Sequence, residues 1–146
     1  MGFQQLSLKG RALRLLAQRE HSRSELAAKL ARHVQEGEDL QAVLGELEAK
    51  GFISEARVAE SLVHRRAARL GTQRLVQELR SKGLHEDLVR ATADTLRATE
   101  FERAQAVWQR RFGEAAATPQ ERARQMRFLA ARGFSGDVVR RVVTAK

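Results

Sequence analysis

The chain carries one helical pattern three times. Ala12-Leu13-Arg14-Leu15-Leu16-Ala17-Gln18-Arg19 recurs as Ala59-Glu60-Ser61-Leu62-Val63-His64-Arg65-Arg66 and as Ala104-Gln105-Ala106-Val107-Trp108-Gln109-Arg110-Arg111, at steps of 47 and then 45 residues. A second set of markers keeps similar time: Leu30, Leu79 and Leu129 precede Asp39-Leu40, Asp87-Leu88 and Asp137-Val138. Repetition at this period marks supersecondary units too small to bury an apolar face alone, so neighbours stack into an array rather than closing around one pocket. The expected fold is all-α, an elongated tandem array of three three-helix modules over residues 8–53, 54–98 and 99–146. Function is then expected on a long surface.

Local signals agree with helix throughout. Ser22 with Glu25 three residues on forms a capping box before Leu26 and Leu30. Leu40, Val43, Leu44 and Leu47 make an apolar stripe at three-and-four spacing. The helix-ending device is itself repeated, as Leu47…Lys50-Gly51-Phe52, Leu79…Lys82-Gly83-Leu84 and Leu129…Arg132-Gly133-Phe134. In each, a cation faces the carbonyl end, Gly takes the left-handed conformation, and the next apolar residue can fold back on the helix. Four residues after each Gly stands an acid, Glu55, Asp87 or Asp137, suited to the first turn of the following helix. The first device closes the third helix of its module, the other two close second helices. In module 2 helices are expected at about 54–70, 72–82 and 85–96; in module 3 at about 100–112, 119–132 and 136–144, with Thr118 capping and Pro119 at the first helical position. Phe101, Trp108 and Phe112 fall on one helix face and read as core.

Chemistry-bearing motifs are missing. Cysteine is absent, which excludes disulfides and thiolate sites. There is no glycine-rich phosphate loop, no His-Glu-x-x-His and no nucleophile elbow, and His21, His33, His64 and His85 lack ligand spacing. No catalysis, metal or cofactor is expected. No signal-like or membrane-spanning run is present, so a cytoplasmic protein without membrane contact is expected.

Charge is the positive signal. The net charge is +9, and it rises along the chain, from 0 over residues 1–62 to +3 over 63–100 and +6 over 101–146. Arg65, Arg66, Arg69 and Arg74 in module 2, and Arg110, Arg111, Arg140 and Arg141 in module 3, are the candidate contact residues for a polyanion or an acidic partner. Arg65 and Arg69 are expected one helical turn apart on a common face.

The residues that carry these patterns resemble the RecX family, regulatory proteins of the bacterial RecA recombinase. The likeness rests on Ala12 to Arg19, Ser22, Glu25-Leu26, Lys29-Leu30, Leu47, Gly51-Phe52-Ile53, Ala59, Arg66 and Gly71. It continues through Glu78-Leu79, Lys82-Gly83-Leu84, Leu129, Arg132-Gly133-Phe134 and Val138. Where the family usually has Asp-Asp and then Phe-Ala, this chain has Ser54-Glu55 and then Val58-Ala59. The resemblance implies a crescent lying in the groove of a RecA–DNA filament, suppressing ATPase, strand exchange and coprotease activity. The implied partner is the RecA filament, with direct contact to single- or double-stranded DNA left open, and the array, having its own ends, is expected to be a monomer. The alternatives are a helix-turn-helix transcription regulator, suggested by the segment from Ser22 to Ile53, and a nonspecific DNA-binding accessory protein. A winged reader would need strands after Ile53, where Ser54-Glu55 instead reads as a helix start, and Glu46 and Glu48 on the presumed recognition helix would repel DNA.

Overall fold

The computed structural model describes residues 6–144, which form nine α-helices and no strand. Module 1 comprises α1 (Leu8–Gln18), α2 (Arg23–Leu30), a 3₁₀ turn (Ala31–His33) and α3 (Leu40–Ala49). Module 2 comprises α4 (Glu55–Arg66), α5 (Thr72–Ser81) and α6 (Glu86–Ala98); module 3 comprises α7 (Glu100–Arg111), α8 (Pro119–Ala131) and α9 (Gly136–Thr144).

Each module has its own core. Leu26, Leu30, Leu44, Leu47 and Ile53 pack in the first, Leu62, Leu75, Leu79 and Val89 in the second, and Val107, Leu129, Phe134 and Val142 in the third. The repeated markers are the centres of these cores. Ala12, Ala59 and Ala104 are buried, the small side chain letting helices approach, and Leu30, Leu79 and Leu129 are buried beside them. Phe101 and Trp108 pack against the third core, and the indole N–H donates to Gln125 Oε1 at 2.9 Å, so the aromatic stripe serves α7–α8 packing.

The caps follow the sequence. Ser22 accepts from Glu25 N–H while the Glu25 carboxylate accepts from Ser22 N–H, and Thr118 accepts from Glu121 N–H ahead of Pro119. Ser54 caps α4 directly after Ile53, which removes the winged-helix alternative.

Two expectations are corrected. The apolar residue after the first Gly does not fold back: Phe52 is 47% exposed, and Ile53, at 2%, takes the buried place. α4 stops at Arg66 rather than Leu70, because residues 67–70 form a turn whose carbonyls are captured from module 3. Arg103 donates to Ala67 O at 2.9 Å and to Leu70 O, and Arg110 donates to Ala68 O at 3.2 Å.

How the modules join explains the irregular placement of the Gly devices. The second helices run head to tail. The turn closing α5 receives the N-terminus of α2: Ser22 Oγ donates to Lys82 O at 2.6 Å, and Lys82 Nζ is 3.3 Å from Glu25 Oε1. The turn closing α8 receives the N-terminus of α5: Gly71 N–H donates to Arg132 O at 2.8 Å and Gln73 N–H to Gly133 O at 3.3 Å. Carbonyl ends therefore meet N–H ends, and the helix dipoles align along a spine. Gly83 and Gly133 have φ of +74° and +92°, and a Cβ there would lie 2.7 Å from Ser24 Oγ and 2.4 Å from Arg74 Cβ respectively. Gly51 shares the left-handed φ, +82°, but faces open space. It is a helix cap alone, whereas the other two are also joints.

The α2–α5 joint carries a titratable group. Burial pushes the Glu25 carboxyl up, but the Arg19 guanidinium, the Ser22 N–H and Lys82 outweigh it and hold the value at about 2. A value depressed below that of the unfolded chain contributes stability that is present above about pH 4.5 and is lost as pH falls toward 2. Urea midpoints measured between about pH 6 and about pH 3 should therefore fall, and Glu25→Gln should flatten that dependence. A variant with the same pH slope as the parent chain would remove Glu25 from this role.

Candidate interaction groove

Arg69, Arg110 and Arg111 converge, and they do so across a module boundary. Together with Arg132, Val107 and Phe128 they line a groove of about 290 Å³ between modules 2 and 3. The four arginines arrive from three elements. Arg69 stands in the turn after α4, Arg110 and Arg111 in the last turn of α7, and Arg132 caps α8. Phe128 orders the cluster, with the Arg111 guanidinium 5.3 Å and the Arg132 guanidinium 4.9 Å from its ring centroid. Phe112 meets Phe128 edge-on at 5.4 Å and also carries Arg111 at 5.5 Å. Guanidiniums stacked on rings keep their planar N–H edges available for a carboxylate or phosphate. None of the four is in an ion pair among the described residues.

The remaining candidates do other work. Arg66 pairs with Glu78 on α5 at 3.1 Å, inside module 2. Arg74 lays its Cβ against Gly133 and donates to Ala131 O at 3.3 Å, so it clamps the second joint. Arg65 is exposed and donates to Ser61 O one turn back on its own helix. It shares no helix face with Arg69, since α4 ends between them. Arg140 and Arg141 belong to α9, with Arg141 stacked at 4.5 Å on Phe101 near the start of α7. At 1.5 Å rise per residue, that is about 15 Å along α7 from Arg110 and Arg111.

Arg132, which the sequence marks as the cation of a helix-ending device, lies outside the sequence-predicted set. Arg103 and Glu100 escaped entirely. Arg103 donates to Ala67 O, Leu70 O, Leu96 O at 2.9 Å, Thr72 Oγ1 at 3.2 Å and Thr99 Oγ1 at 3.1 Å. Its neighbour Glu100, 5% exposed, accepts from Thr72 N–H at 2.7 Å and so caps α5, which has no side-chain cap of its own. Burial presses the Arg103 guanidinium below its ordinary value, with Glu100 opposing. One signal was available: Glu100 and Arg103 continue the stripe of Ala104 and Val107, and charges on a core stripe indicate a buried polar knot.

No three His, Asp or Glu side chains among the described residues form a metal-ligand group. No helix among them is long and apolar enough to cross a membrane.

A spine of three-helix units with an unpaired arginine groove across one joint defines the chain as a helical-repeat protein that presents a basic surface. Family models for the first, second and third three-helix domains of RecX match residues 9–47, 54–92 and 98–143. Regulatory protein RecX of Leptothrix cholodnii is 58% identical over 139 residues, covering 95% of this chain and 88% of that protein. Its counterpart from Herminiimonas arsenicoxydans is 52% identical over 142 residues, covering 97% and 94%. A crystal structure of RecX from Lactobacillus salivarius superposes with a TM-score of 0.75 at 18% identity, over 93% of this chain and 92% of that one. A crystal structure of a regulatory protein RecX gives 0.76 at 22% identity, over 92% and 70%. The chain belongs to the RecX family of regulatory proteins.

Proposed function

We propose that this chain restrains the RecA recombinase by lodging in the groove of a RecA–DNA filament, where it suppresses ATPase, strand exchange and coprotease activity. It acts in the cytoplasm as a monomer and by occupancy, not catalysis. The observation that carries this reading is the four-arginine groove of Arg69, Arg110, Arg111 and Arg132, set on a spine whose joints are stitched by hydrogen bonds to helix-end carbonyls. A rigid array can touch several protomers at once, each contact raising the effective concentration of the next. Unpaired guanidiniums supply the attraction toward acidic recombinase surface or exposed phosphate.

The test compares binding to bare DNA and to RecA-coated filaments across a salt series, with ATPase followed in parallel. Filament binding should be the tighter and should lower ATPase, while bare-DNA affinity should fall with a log–log slope of about −0.7 to −0.9 per neutralised phosphate. Arg69→Glu combined with Arg111→Glu should weaken filament inhibition by about tenfold or more with an unchanged melting curve. An inhibition curve identical to that of the parent chain would take the groove out of the interface. Strong preference for one duplex sequence would instead favour the transcription-regulator alternative.

A further inference from the structure

We propose that the C-terminal end of α2, at the far end of the spine from the arginine groove, is a second binding surface that takes an acidic peptide segment bearing an apolar anchor residue. Arg11 and Arg14 of α1 converge there with Arg32 and His33 of the 3₁₀ turn, around a groove of 560 Å³ walled by Leu6 and Leu15. An adjoining groove of 510 Å³ shares Leu6, Arg11, Arg32 and His33 and adds Val34.

Three observations select this occupant. First, exposed apolar surface gathers here: Leu6 is 40% and Val34 37% exposed, and the one other large apolar side chain so exposed among the described residues is Phe52. Second, the charge is one-sided. Among the described residues Arg11, Arg14 and Arg32 are in no ion pair, and the acid at the rim, Glu38, directs its carboxylate to Gln35 N–H at 2.7 Å. Burial, with Arg11 and Arg32 adding to it, also pushes His33 below its ordinary value. Third, the position repeats a joint. The corresponding ends of α5 and α8 accept hydrogen bonds from the N-termini of α2 and α5, while among the described residues no helix N-terminus donates such a bond to the end of α2, where Ser7 and Leu8 at the start of α1 line the adjoining groove.

The balance of apolar and charged surface separates two kinds of anion. A nucleic-acid backbone would satisfy the arginines but gain nothing from Leu6, Leu15 and Val34, and among the described residues the groove is lined by no Phe, Tyr or Trp, the His33 imidazole being its one ring. A peptide with a Leu-like anchor between carboxylates uses both. The surface lies within residues 1–62, whose net charge is zero, so it is a product of convergence rather than of composition.

The 146-residue chain titrated with a fluorescent peptide of Glu and Leu residues tests this directly, with an all-Glu peptide of equal length and a duplex DNA oligonucleotide as further probes. The Glu–Leu peptide should bind most tightly. Arg14→Glu with Arg32→Glu, both exposed, and separately Leu6→Ser with Val34→Ser, should each weaken it by about tenfold without shifting the melting curve. The Arg69→Glu and Arg111→Glu pair should leave this affinity unchanged, so the result does not depend on the recombinase reading. Equal binding of the all-Glu peptide, tighter binding of DNA, indifference to the Leu6 and Val34 changes, or loss in the Arg69 and Arg111 variant would each overturn the proposal.

Discussion

Replacing Gly71 by alanine should split the unfolding of this chain into two transitions. Gly71 has an ordinary extended backbone, φ −78°, so the cost is not conformational. A Cβ there would sit 2.2 Å from the carbonyl carbon of Gly133 and 2.3 Å from its oxygen and from Phe134 N. All three are backbone atoms held in a joint, and no side-chain rotation relieves the overlap. The joint must open, losing the Gly71 to Arg132 bond and with it the coupling between modules 2 and 3. We expect a loss of about 3 kcal/mol or more, the range of severe overpacking. Because the chain has one tryptophan, Trp108 in module 3, its fluorescence should report the weakened module melting ahead of the far-ultraviolet dichroism of the whole array. Gly51→Ala is the control: its φ of +82° disfavours alanine but nothing is near, so about 1 kcal/mol and one transition are expected. Coincident transitions in Gly71→Ala with a loss no greater than the control would refute the steric account.

The second large effect belongs to Arg103. Its guanidinium has five N–H donors, and its five partners among the described residues are three carbonyls and two hydroxyls, drawn from the turn after α4, the start of α5 and the end of α6. Removing it leaves Ala67, Leu70 and Leu96 carbonyls without this donor in a partly buried site. Arg103→Ala should cost about 3 kcal/mol, seen as a fall of about 10 °C in melting temperature. Arg103→Lys should recover only part of this, since an ammonium offers fewer donors and no planar fork to span the same acceptors. The turn at 67–70 also positions Arg69. Under conditions where Arg103→Lys remains folded, it should weaken the filament inhibition proposed above, through the displaced turn and not through a contact of Arg103 with the partner. A loss below about 1 kcal/mol for Arg103→Ala would show that water replaces the knot without penalty.

Much of this architecture was open to reading from residues alone, and for one reason. Helix periodicity, capping boxes and Gly terminators are local, each satisfied within about one or two turns of its own sequence. Thus Ser22, Ser54, Thr118 and the three Gly turns marked their elements, and buried Ala12, Ala59 and Ala104 marked the repeat. The interaction groove was half legible. Arg69, Arg110 and Arg111 stood out by charge, but so did Arg66 and Arg74, and sequence spacing cannot tell a guanidinium facing solvent from one facing Glu78 or Ala131.

Sequence by itself determined that the chain would be helical, threefold repeated, increasingly basic and without cysteine chemistry, because those properties follow from periodicity and composition. Tertiary structure alone decided where the modules meet, why Gly83 and Gly133 differ from Gly51, and which arginines stay out of ion pairs among the described residues. Those outcomes depend on groups some 40 to 60 residues apart brought within hydrogen-bonding distance, such as Ser22 with Lys82 and Gly71 with Arg132. A carbonyl's partner at that range is chosen by packing, and no local preference encodes it.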